Sequence, residues 1–137
     1  MPKRASKINP FIEAMMKKDQ FSQWLGIERL KEGPGFCKLK MKIRPEMCNG
    51  FAIAHGGITY SFADSALAFA SNSHGPKAVS IETSISHLKA LKSNDVIIAT
   101  AEEKNRGKRI AVYEVKVEKE HGGLVALFKG TVFIQSS

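Results

Sequence analysis

Apolar positions change period several times along this chain, and each change marks an element. Asn9-Pro10 reads as an N-cap followed by proline at the first helical position, after which Phe11, Ile12, Met15 and Met16 recur at helical spacing. Phe21, Trp24 and Leu25 continue that helix or form a second turn, until Gly26 and then Gly33-Pro34-Gly35 break it. From Cys37 the period drops to two. Cys37, Leu39, Met41 and Ile43 are apolar while Lys38, Lys40, Lys42 and Arg44 are basic, which predicts a strand with one buried and one cationic face.

Residues 56–74 are apolar or small almost all round, carry one acid and stop at Gly75-Pro76, the pattern of a buried central helix. Alternation resumes in Val79, Ile81, Thr83 and Ile85, again over residues 95–104, and in Ala111, Tyr113, Val115 and Val117. A last apolar run extends from Leu124 to Ile134. Asn105-Arg106-Gly107-Lys108 and His121-Gly122-Gly123 read as hairpin turns between these runs. The order is helix, strand, long buried helix, then four strands joined mainly by short turns. Short connections imply antiparallel pairing, so the expected class is α+β, an antiparallel sheet wrapped over one helix. Residues 1–8 are expected to be loose and residues 9–137 to form one domain.

Composition narrows the function classes. The 137 residues are 43% hydrophobic and 25% charged, ordinary for one globular domain. No apolar run approaches the roughly 18 residues of a membrane span, and the first residues carry no apolar leader, so the expected location is cytoplasmic. Two cysteines, Cys37 and Cys48, make neither a disulfide framework nor a zinc site. The four histidines form no H-E-x-x-H pattern, so no metal is inferred. The net charge of +8 is uneven: residues 1–44 hold 11 Lys/Arg against 4 acids, residues 45–88 hold 1 against 3, and residues 89–137 hold 9 against 6. Basic flanks suit a phosphate-bearing partner, or serve only as solvated faces.

Chemistry concentrates around the central helix. Asp64 is a lone carboxylate on an apolar helix, costly to bury without a partner or a task; otherwise it caps a shorter helix starting at Ser65. In front stands His55-Gly56-Gly57. There the free N–H groups and dipole of a helix start offer a site for developing negative charge, although such glycines also serve simply to make a turn. Gly56 and Asp64 are eight residues apart, about 12 Å along a continuous helix, too far to meet at one carbonyl. If both are catalytic, they come from different chains, and the active species is at least a dimer.

These residues carry a resemblance. Asn49-Gly50, His55-Gly56-Gly57, Phe62-Ala63-Asp64-Ser65-Ala66, Ala68-Phe69-Ala70 and Asn72-Ser73 resemble the hotdog-fold acyl-CoA thioesterases of the phenylacetate-degradation (PaaI) type. The likeness runs from about Phe21 to Ile134 and includes Asp95, Gly107-Lys108 and Val125 to Gly130. It implies a hotdog fold, a homodimer and usually a dimer of dimers, and hydrolysis of aryl-acyl or medium-chain acyl-CoA with no cofactor beyond the coenzyme A of the substrate. Asp64 falls at the catalytic carboxylate, acting as general base toward water or as nucleophile through an anhydride, and Gly56 at the oxyanion N–H. Asn49 matches the polar residue near water or carbonyl, His55 the residue before the oxyanion glycine, and Ser80 a hydroxyl that helps place water. Two departures stand out: Phe51-Ala52-Ile53-Ala54 is more apolar than in many relatives, and Ala68 stands where some carry a hydroxyl.

Within this reading Gly57 adjoins the oxyanion site, Lys108 and Arg109 are candidates for the phosphates, and Phe51, Ile53, Tyr60 and Phe69 for the acyl group. No membrane or nucleic-acid partner is expected. The alternatives are a hotdog hydratase or dehydratase acting on acyl thioesters, and a non-catalytic basic module that binds anions or nucleic acid.

Overall fold

The computed structural model describes residues 8–135. Helix α1 (Pro10–Lys18) begins as the sequence indicates: the Asn9 side chain accepts from the N–H groups of Phe11 and Ile12. Asp19 then caps α2 (Gln20–Leu25), which ends at Gly26 in the left-handed region, φ 77°. The loose N-terminus expected for residues 1–8 falls, except for Ile8, outside the described residues.

Among the described residues six strands form one sheet in the order β1-β2-β4-β5-β6-β3: β1 (Glu28–Gly33), β2 (Phe36–Lys42), β3 (Ala78–His87), β4 (Val96–Arg106), β5 (Ile110–Lys119) and β6 (Leu124–Ile134). Every pairing is antiparallel. The hydrophobic pattern misses β1. Its sequence, Glu-Arg-Leu-Lys-Glu-Gly, has no apolar alternation because it is an edge strand, held to β2 by a hairpin through Gly33-Pro34-Gly35. Strand β3 lies at the opposite edge, paired with β6, so the chain must cross the sheet between β3 and β4.

Helix α3 (Gly56–Asn72) lies against the sheet, without interruption at Asp64 and two residues shorter than the apolar run suggests. The cap at Asp64 is therefore excluded. Phe62, Leu67 and Phe69 of α3 are buried against Leu39, Met41, Ile97, Tyr113, Val115 and Phe128 of the strands. Small residues let helix and sheet approach: Ala63, Ala66 and Ala70 on the helix, and Ala99, Ala101, Ala111, Ala126 and Gly130 on the strands. A Cβ built on Gly130 would stand 2.5 Å from Cδ2 of Leu67, itself fully buried.

Gly130→Val should therefore overpack the tightest point of the helix-sheet contact. The expected loss is about 1–3 kcal/mol, read as a lower urea midpoint with an unchanged slope.

Candidate active site

The position of Asp64 follows from how α3 is fastened at its ends. At the C-terminal end Asn72 accepts from the N–H of Ala78 at 2.9 Å and donates to the carbonyls of Ala78 and Ala68 at 3.0 and 2.9 Å, tying the last helical turn to the start of β3. Two residues into that strand lies Ser80. An extra residue enters β3 between Ser80 and Glu82, where the register against β6 shifts, a bulge of the kind that re-aims side chains at strand edges.

On the other side of the acid, Ser22 of α2 bonds Ser65 at 2.8 Å, oxygen to oxygen, and donates to the Asp19 carboxylate at 2.6 Å. This buried contact holds the corner between α1 and α2 against the turn of α3 that carries Asp64. The result is a cavity of about 730 Å³ in which Asp64 and Ser80 face Met15 and Lys18 of α1, with Leu67 and Val132 supplying apolar wall. Asp64 is half-buried. Burial first, and the negative charge of Asp19 second, hold its carboxyl above the usual carboxylate range.

Gly56 opens onto a different cavity, about 320 Å³, with Ile53, Thr59, His87 and Lys89. His55 is the N-cap of α3, but its side chain makes no capping bond, and the N–H of Ile58 turns back to the His55 carbonyl at 2.9 Å. The first N–H groups, those of Gly56 and Gly57, have no intrahelical acceptor. Because α3 is continuous, the acid and these donors stay about 12 Å apart within one chain.

The remaining candidates scatter. The Asn49 side-chain carbonyl accepts from the N–H groups of Phe51 and Ile53 at 2.9 and 3.2 Å, so it shapes the loop leading to Gly56. Phe51 is 84% exposed, whereas Phe69 is fully buried on the sheet side of α3 and presents no surface to an acyl group. Tyr60 is half-buried, bonded to Thr83 at 2.5 Å and packed edge-on against Phe128. Of the four acyl-site residues read from the sequence, only Ile53 lines either cavity. The apolar surface beside the acid is instead made by Met15, Leu67, Val79 and Val132. Lys108 and Arg109 are exposed in the turn between β4 and β5.

Sequence reasoning also missed His87 and Lys89. They lie where β3 ends and the crossover begins, and no local pattern links them to Gly56. The β3 alternation, followed two residues past Ile85, does reach His87, but it leaves open what the imidazole faces.

A profile of the Thioesterase superfamily matches residues 51–126, the segment from the loop before α3 into β6. A putative esterase of Archaeoglobus fulgidus is 37% identical over 131 residues, 96% of this chain and 85% of that protein. The acyl-coenzyme A thioesterase PaaI of Escherichia coli is 35% identical over 117 residues, 85% of this chain and 84% of its own length. The solved structure of E. coli PaaI superposes with a TM-score of 0.91 at 32% identity, covering 93% of this chain and 92% of that one. A hypothetical thioesterase protein of Streptococcus pneumoniae solved with coenzyme A gives a TM-score of 0.83 at 26% identity, covering 89% of this chain and 98% of that one. The chain belongs to the thioesterase superfamily, within its PaaI-like hotdog branch, and is a thioester hydrolase.

Proposed function

We propose that this chain hydrolyses acyl-CoA thioesters, of aryl-acyl or medium-chain type, at sites shared between two copies, with Asp64 of one copy and the Gly56 N–H of the other acting on one carbonyl. The observation that carries this reading is the uninterrupted α3, which holds a half-buried acid and a free N-terminal donor on one rigid rod, opening onto separate cavities. Neither cavity alone contains both groups. Strand β3 supports the pairing: its neighbour in the sheet is β6 on one side only, and Val79 and Ile81 are 40% and 58% exposed along it. A second copy docked along that edge would bring its own helix start toward Asp64 and Ser80.

Asp64 acts as general base toward a water held beside it by Ser80, which shares its cavity. Burial favours this role, since a carboxylate with a raised pKa is a better proton acceptor near neutral pH. The thiolate product is a good leaving group, with a pKa near that of free cysteine, about 8.5, so the site needs little acid assistance. Lys108 and Arg109 contact the phosphates of the coenzyme from the exposed turn; coenzyme A as the carrier is supported by the S. pneumoniae protein solved with it.

The direct test is release of free thiol from a panel of phenylacetyl-, benzoyl- and straight-chain acyl-CoAs. Turnover of at least one is expected. Silence across the panel from folded protein would refute the proposal, and loss or gain of water without thiol release would identify a hydratase or dehydratase instead.

Asp64→Asn should lower kcat by about 10²–10⁴-fold. The same change should stabilise the fold at neutral pH. A carboxyl whose pKa is raised by folding favours the native state most in acid, and that contribution is lost as the pH rises through the raised value. The urea midpoint of the variant should thus exceed that of wild type at pH 7, with the gap closing as the pH falls below the ordinary carboxylate range.

Subunit mixing tests the shared site. Asp64→Ala and Gly56→Pro homodimers should each be nearly inactive. After exchange in equal amounts about half the dimers are mixed, each with one intact site, so roughly a quarter of wild-type activity should return. Verified exchange without recovery would place both groups in one chain.

A further inference from the structure

We propose that His87 supplies a second donor to the oxyanion hole, its Nε2–H standing beside the backbone N–H of Gly56; the assignment rests on the thioesterase reading above. His87 is exposed and closes β3 where the chain turns into the crossover toward β4. Its ring lies directly against the start of α3: a Cβ built on Gly56 would stand 3.3 Å from Nε2 and 3.5 Å from Cε1 of His87. The tip of the imidazole thus stands in close contact with position 56, and a side chain added there would push it aside by a few tenths of an ångström.

The spacing suits one oxygen. A Cβ lies about 2.5 Å from the nitrogen of its own residue, which places Nε2 of His87 no more than about 5.8 Å from the Gly56 nitrogen. Two donors that each bond one oxygen at about 2.9 Å stand no more than about 5.8 Å apart, so this upper limit on the separation lies within the reach of one shared oxygen. His87 and Gly56 line the same cavity. Among the described residues the histidine ion pairs belong to His74 and His121, which leaves His87 without a carboxylate competing for its ring.

The chemistry requires Nε2 to carry its proton and keep it. Water oxygen adds to the thioester carbon, a water proton passes to the Asp64 carboxylate, and the carbonyl π pair moves onto oxygen. His87 Nε2–H and Gly56 N–H both donate to that oxygen as its charge grows. When the carbonyl reforms, the C–S bond breaks. Sulfur leaves with the bonding pair and takes the proton held by Asp64, giving free acid and thiol.

The test compares His87→Leu, which removes the donor, with His87→Gln, whose amide restores one. With the best substrate of the panel, Leu should lower kcat about 10- to 100-fold while KM and the affinity for free CoA stay within about twofold, and Gln should recover most of kcat. Both changes lie at an exposed position and should leave thermal melting unchanged. In the Asp64→Asn background, the carbonyl stretch of bound thioester should lie at lower frequency with His87 present than with Leu. A Leu variant within about threefold of wild-type kcat, a loss confined to KM, or a Gln variant no better than Leu would overturn the assignment. Wild-type protein inactive on every thioester would instead refute the thioesterase reading itself, and the role of His87 would fall with it.

Discussion

Everything about this site depends on α3 being one unbroken helix seated in a sheet built to receive it. Its apolar faces, Phe62, Leu67 and Phe69, are buried on strands lined at the contact by alanines and one glycine. Such close packing leaves the helix no freedom to bend. The distance between its N-terminal donors and Asp64 is therefore fixed by helical rise, and a carbonyl that needs both must find them on two copies of the rod. A flexible loop could have folded acid and donor together in one chain. A packed helix cannot.

The same rigidity explains how a carboxylate is kept in apolar surroundings. Asp64 lines a cavity walled by α1, β3 and Val132 of β6, and it stays half-buried. Desolvation is a cost to the fold, and under the proposed mechanism it serves a base that must accept a proton near neutrality. Two fastenings hold this arrangement, Asn72 gripping both backbone groups of Ala78, and the buried Ser22–Ser65 pair with Asp19 behind it. Neither touches the reacting atoms in the proposed mechanism. Both decide where the walls of the acid's cavity stand.

The N-terminal helices are part of that machinery. Asn9 caps α1 while its amide donates to the Ser73 carbonyl at the end of α3, and Glu32 of β1 accepts from the Asn9 N–H at 2.8 Å. Arg29 of β1 pairs with both Glu13 of α1 and Glu32. This network joins the edge of the sheet to α1, and α1 in turn brings Met15 and Lys18 over the acid. An edge strand with no hydrophobic signature thus helps define the site through its charges.

Much of this was legible in the sequence, and the reason is local. Helix starts depend on capping and proline chemistry, strands with one wet face on period-two alternation, and the central helix on an all-round apolar run. Hence α1, β2, α3 and the last four strands follow from neighbouring residues alone, as does the singular status of Asp64 and of the glycines before it. Tertiary structure decided the rest. It paired β3 with β6 across the sheet, made a strand of the charged segment Glu28–Gly33, turned Phe69 into the core and put Met15 and Val132 beside the acid. It also pressed His87 against Gly56. Those outcomes depend on which surfaces meet after the crossover between β3 and β4. Contacts between residues distant in sequence leave no periodicity for a sequence pattern to show.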